Sequence, residues 1–145
     1  MLRWAMSGLL TLGLALALSP SDLKLLRDAG GWEYQTITDA NNGFKTEATC
    51  FSENYTGRCR GNLFFRDDGS FSQVLSGSGR SMHRGGRYQV HGSELTFWDE
   101  HDNKDGPYTV TLKPETSMLT IETTRAGVAV HMDLMLEREF RKHHR

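Results

Sequence analysis

The chain has 145 residues, the size of one domain and long enough to bury a core of its own. Its 17 Lys and Arg stand against 18 Asp and Glu with no long run of either sign, so it has no basic face of the kind that holds a nucleic acid or an anionic membrane. Fifteen Gly against three Pro, with many Thr, Phe, Tyr and Val, argue against long helices and for short strands joined by tight turns.

The first element is an address. A basic start at Arg3 is followed by an uncharged apolar run from Ala5 to Leu18, then by small residues and Pro20. The run is shorter than the roughly 20 residues that cross a bilayer comfortably, and the order matches an export signal. The competing reading is an uncleaved membrane anchor. Cleavage is expected between Ser19 and Ser21, with the bond after Ser21 favoured because Pro20 disfavours the bond before it. That divides the chain into a signal peptide over 1–21, a folded domain over 22–141 and a basic tail over 142–145. The expected product is secreted or periplasmic, with no membrane span after cleavage.

Residues 21–29 follow as a short helical turn, with a cap residue, apolar Leu23 and Leu26, and a double glycine stop at Gly30 and Gly31. From Trp32 the period changes to two, and turn signals recur at intervals of about 8 to 12 residues. Strands are predicted over 32–38, 45–51, 61–66, 70–75, 87–91, 95–99, 108–113 and 118–123, with a long last strand over 128–141. Cys50 and Cys59, an even count in an exported chain, are expected to form a disulfide across two adjacent strands; a zinc pair is the competing reading. Asn54-Tyr55-Thr56 between them is a glycosylation sequon, with meaning only in a eukaryotic host.

Alternation shows which side faces inward. In the last strand Val128, Val130, Met132, Leu134, Leu136 and Phe140 share one parity, while His131, Asp133, Glu137 and Glu139 hold the other. With sequentially paired strands and no crossover helix, the pattern predicts an all-β, antiparallel up-and-down meander. It closes into a barrel of about eight strands behind a short N-terminal helix, because closure removes exposed sheet edges. A two-sheet sandwich is the structural alternative.

The order of a short helix, Gly30-Gly31-Trp32 opening the first strand, and a meander ending in Leu136-Glu137-Arg138-Glu139-Phe140 resembles the lipocalin-like, or calycin, barrels, in particular small bacterial domains of that kind. The resemblance implies that Trp32 closes the barrel base against Arg138, the guanidinium stacking on the indole. It also implies an interior that is either filled or holds one small ligand. Tyr34, Phe65, Phe71, Tyr88, Phe97 and Tyr108 are the inward residues that would line such a pocket, or pack a solid core.

Chemistry-bearing motifs are otherwise sparse. There is no nucleophile elbow, phosphate loop, dinucleotide fingerprint or metalloprotease motif, so no cofactor or metal is expected and an enzyme is the least favoured reading. His131 and Asp133 fall on the solvent parity, and the Asp-rich turn holding Asp99, Asp102 and Asp105 lacks the spacing of a calcium loop. The glycine-rich stretch from Gly77 to Gly86 reads as a mobile loop whose Arg80 and Arg84, with neighbouring Arg87, could meet an acidic partner. Two functions follow as expectations. One is an exported barrel that binds a small, largely apolar molecule without catalysis. The other is a solid-core module that binds an envelope protein through that loop.

Overall fold

Period-two burial closes the chain on itself. In the computed structural model, which describes residues 17–39, 59–77, 80–125 and 128–143, eight antiparallel strands form a closed barrel in sequence order. They are β1 (Trp32–Asp39), β2 (Cys59–Phe65), β3 (Ser70–Gly77), β4 (Arg80–His91), β5 (Glu94–Asp99), β6 (Lys104–Lys113), β7 (Met118–Arg125) and β8 (Val128–Leu136). Each pairs with the next, and β8 closes on β1, where Trp32 lies opposite Leu136 and Asp39 opposite Val130. The expected parity holds: Leu63, Phe65, Phe71, Leu75, Tyr88, Leu95, Phe97, Tyr108, Val110, Leu119, Ile121, Leu134 and Leu136 are all buried. The sandwich alternative is thereby excluded. The strand expected over 45–51 lies outside the described residues, as do Cys50, the bridge it was expected to make with Cys59, and the sequon.

One end of the barrel is plugged. Helix α1 (Pro20–Leu26) begins with a capping box, in which the Ser19 hydroxyl accepts from the Asp22 amide at 3.1 Å and the Asp22 carboxylate accepts from the Ser19 amide at 3.0 Å. Pro20 occupies the first turn, where its missing N–H costs nothing. Leu26 is fully buried, and Leu18, Leu23 and Leu25 pack against the same core. The Trp32 indole, also fully buried, donates to the Leu26 carbonyl at 2.9 Å and so ties the helix to the first strand. Gly31 makes the link between them. Its φ of +75° suits glycine, and a Cβ there would meet the Phe64 ring at 2.6 Å.

Three sequence expectations are corrected. The predicted loop over 77–86 is mostly strand: β4 starts at Arg80 and pairs with β3 from Gly77 opposite Arg80 to Ser70 opposite Arg87. The paired glycines that read as a break belong to a strand crowded by its neighbours. A Cβ on Gly86 would collide with the Trp98 carbonyl, and its φ of +154° again suits glycine. The last strand does not reach 141. It ends at Leu136, where apolar alternation stops and charges take over. Helix α2 (Glu137–His143) follows, supported by Arg141–Glu137 and Lys142–Glu139 pairs at helical spacing, so Phe140 and Lys142 belong to a helix. Finally, the cap of α1 is Ser19, two residues before the expected start.

Candidate ligand-binding site

All six aromatic residues expected inside the barrel are there and buried, but they do different work. Phe65, Phe71, Tyr88, Phe97 and Tyr108 form a continuous ring cluster. Phe97 is its hub, with centroids 4.7 Å from Phe71 and 6.0 Å from both Phe65 and Tyr108, while Phe65 meets Tyr88 edge-on at 5.0 Å. The Tyr88 hydroxyl donates to the Arg66 carbonyl at 2.8 Å and accepts from Arg27 Nε at 2.7 Å. Tyr88 therefore clamps the end of α1 to the turn between β2 and β3, and it belongs to the plug. With Leu95, Leu119 and Leu136 fully buried as well as Leu26 and Trp32, this end of the interior is sealed.

Above the rings lies a polar belt. Gln73 on β3 is buried and donates to the Tyr34 hydroxyl on β1, two strands away. Opposite Gln73 in register stands Arg84 on β4, which also points inward: its guanidinium carbon lies 5.6 Å from the centroids of both Phe71 and Phe97. Arg84 donates to Asp105 at 2.9 Å, and the Tyr108 hydroxyl donates to the other oxygen of the same carboxylate. Asp105 and Tyr108 are three residues apart and would ordinarily face opposite sides of β6. A register shift brings both inside, because Leu95 pairs with Tyr108 while Phe97 pairs with Asp105, leaving Gly106 and Pro107 to bulge.

The belt is charge-balanced yet wet. The side chains of Arg84 and Asp105 retain 26% and 21% of their accessibility although both face the interior, whereas Phe97 just beneath them retains 2%. Water therefore touches the ion pair but not the rings beneath it. Arg84 Nε is buried and has no hydrogen-bond partner.

The expected partner surface of Arg80, Arg84 and Arg87 is not one surface. Arg84 faces the interior, while Arg87 faces out, 4.1 Å above the Trp98 ring and 3.8 Å from Asp102. The Arg80 side chain lies outside the described residues. Arg138 stays at the plugged end as the resemblance implied, but with another partner. It pairs with Asp28 at 3.0 Å and is 62% exposed, while the Trp32 indole is sealed beneath Leu26. Beside that pair a cleft of about 540 Å³ runs between α1 and Asp67 on the outer surface.

Two acidic groups noted in the sequence have local roles. Asp99 accepts from the amides of His101 and Asn103 and from the Asn103 side chain, so its carboxyl is held below the usual carboxylate range by the turn it ties. On the outer wall His131 is bracketed by Glu122 at 3.1 Å and Asp133 at 3.0 Å, and Thr120 donates to Asp133 at 2.7 Å. Among the described residues no cluster of His, Cys, Asp and Glu has the makings of a metal site, and no helix is long and apolar enough to cross a membrane.

Gln73 was not singled out from the sequence, and Asp105 was noted only as part of an acidic turn, not as an inward group. Gln73 was within reach, since it shares the parity of Phe71 and Leu75. Asp105 was hidden by the bulge. Beyond the fold and this belt, comparison adds nothing: no family model matches the chain, and no curated protein or solved structure matches it.

Proposed function

We propose that the barrel is an exported carrier that takes one small, largely apolar molecule through the end opposite α1 and holds it without catalysis. The observation that carries this reading is the inward-facing Arg84–Asp105 pair that water still reaches, above a sealed aromatic floor. This arrangement offers an apolar base with a few fixed polar groups at one level, the usual make-up of a small-molecule site.

The charge balance of the belt narrows the ligand. Arg84 is already neutralised by Asp105, so a second anion would meet a pair with no net charge and would lose hydration for little return. An uncharged polar end, such as a carbonyl or hydroxyl, fits better: it can share donors with the guanidinium and the Gln73 amide while the rest of the molecule lies on Phe97 and Tyr108. Export itself rests on the leader of Arg3 and the apolar run, and the Cys50–Cys59 bridge would follow from an oxidising destination. By chain entropy a loop of this length would add about 2.5 to 3 kcal/mol.

The test is direct. Protein purified from an exporting host is examined by native mass spectrometry, and a neutral fluorescent apolar probe is titrated into it. A co-purifying mass or saturable binding, weakened about tenfold or more in Arg84→Met, supports the carrier. No added mass and no saturable binding would reject it. The same protein, alkylated with and without prior reduction, reports the bridge.

A further inference from the structure

We propose that the leader is removed between Ala17 and Leu18, four residues before the bond favoured by the sequence alone, so that the mature protein begins at Leu18. The inference rests on the export reading above and adds the site of cleavage. Its first support is where the fold begins to hold the chain. The Leu18 amide donates to the Gly92 carbonyl at 3.1 Å, in the turn between β4 and β5, and the Leu18 side chain packs on the barrel core. Ser19 and Asp22 then exchange the two hydrogen bonds of the capping box, and the Leu23 amide donates to the Ser19 carbonyl at 2.9 Å.

Cutting after Ser21 would discard all of this. The helix that seals the barrel would lose its cap residue, its first-turn proline and the apolar contact of Leu18, leaving the amides of its first turn without their acceptors. Cutting between Ser19 and Pro20 would do nearly the same. Cutting after Ala17 discards none of it, because Ala17 is exposed while Leu18 is partly buried.

The second support is chemical and independent of the fold. Export peptidases accept small side chains at the first and third positions before the cut, and Ala17 and Ala15 occupy those positions. Hydrolysis adds one water across the Ala17–Leu18 peptide bond, leaving a carboxylate on Ala17 and an amine on Leu18. The new amine, protonated, keeps an N–H for the Gly92 carbonyl and strengthens that bond by its charge. Processing and folding would therefore share one residue: the first one left after cleavage is the first one the barrel grips.

The experiment expresses the full chain with a C-terminal tag in a bacterial host that has a periplasm, and reads the exported protein by N-terminal sequencing and intact mass. A start at Leu18 is expected, with Ala17→Tyr accumulating as uncleaved precursor. An exported protein that starts at Asp22, or anywhere inside α1, overturns the site and leaves export standing. Unchanged processing of Ala17→Tyr overturns it too. A chain retained inside the cell with its leader intact overturns the export reading, and the cleavage site with it.

Discussion

The two ends of the barrel interior are built on opposite terms. At the plugged end Leu26, Trp32, Leu95, Leu119 and Leu136 are sealed from water, and the polar groups among them are tied, the indole to a carbonyl and the Tyr88 hydroxyl to Arg27 and Arg66. A turn higher, Arg84 and Asp105 place two charges inside the barrel and leave them wet. The first arrangement gains the most stability from its area, since a fully buried large side chain contributes about 1.5 to 3 kcal/mol over an exposed one. The second gains little, because the attraction of an ion pair is largely offset by its desolvation. A protein that keeps the second arrangement in its interior is maintaining polarity at that level for something other than stability.

The strongest way to test this contrast is to open the floor. Trp32→Ala removes a fully buried indole and its bond to Leu26, and should cost about 3 to 5 kcal/mol in equilibrium denaturation. Because α1 hangs on that bond, the loss should include fraying of the helix, read as faster amide exchange over residues 20–26. A cost below about 1 kcal/mol would mean that the floor is not the anchor described here.

The belt should respond differently. Asp105→Ala leaves Arg84 facing aromatic rings without its counter-charge, and should cost about 1 to 2 kcal/mol, less than for a dry pair because water reaches the guanidinium. The double variant Arg84→Met with Asp105→Leu should recover most of that stability while losing the neutral probe. Stability recovered with the probe still bound would place the ligand elsewhere.

The plug gives a smaller effect. Ser19→Ala removes one half of the capping box and should lower stability by about 1 kcal/mol, with Ser19→Gly milder. If the cap holds the floor shut, Ser19→Ala should also speed amide exchange at Tyr88, whose N–H donates to the Gly69 carbonyl at 2.9 Å.

Much of the lower barrel was legible in the sequence and much of the belt was not, for a physical reason. Burial of Leu63, Phe65, Leu95, Phe97, Leu119, Ile121 and Leu134 follows from strict alternation, which is a local property of each strand. The belt depends on relations between strands. Arg84 lay in a stretch where glycines suggested a loop, yet those glycines are there because Trp98 and Phe71 approach the backbone of β4 closely. Asp105 shares the interior with Tyr108 only because β6 bulges against β5, and nothing in the alternation of either strand announces that shift. The helix after Leu136 was missed because its charged residues also fit the solvent face of a strand, and only the i,i+4 pairing of Glu137 with Arg141 separates the two.

The smallest expected effect lies on the outer wall, and it is read through pH. Burial works against a charged ring at His131, but the hydrogen bonds it donates to Glu122 and Asp133, with their charges, outweigh it and hold the pKa above the ordinary value of 6.5. A raised folded-state value means that the unfolded chain releases its proton first as pH rises. The stabilisation is therefore complete below about pH 6.5, declines as pH climbs through the raised value, and is gone above it. With 43% of the side chain exposed, screening keeps the amount under about 1 kcal/mol. Denaturation of the wild type and His131→Gln at pH 5.5 and pH 8.5 isolates it, since other titrations cancel in the difference. The wild type should lose its advantage at the higher pH, while amide exchange at Trp32 under native conditions should report the same shift only if the floor unfolds together with the wall. A floor whose exchange ignores pH would show that the two ends open as separate units.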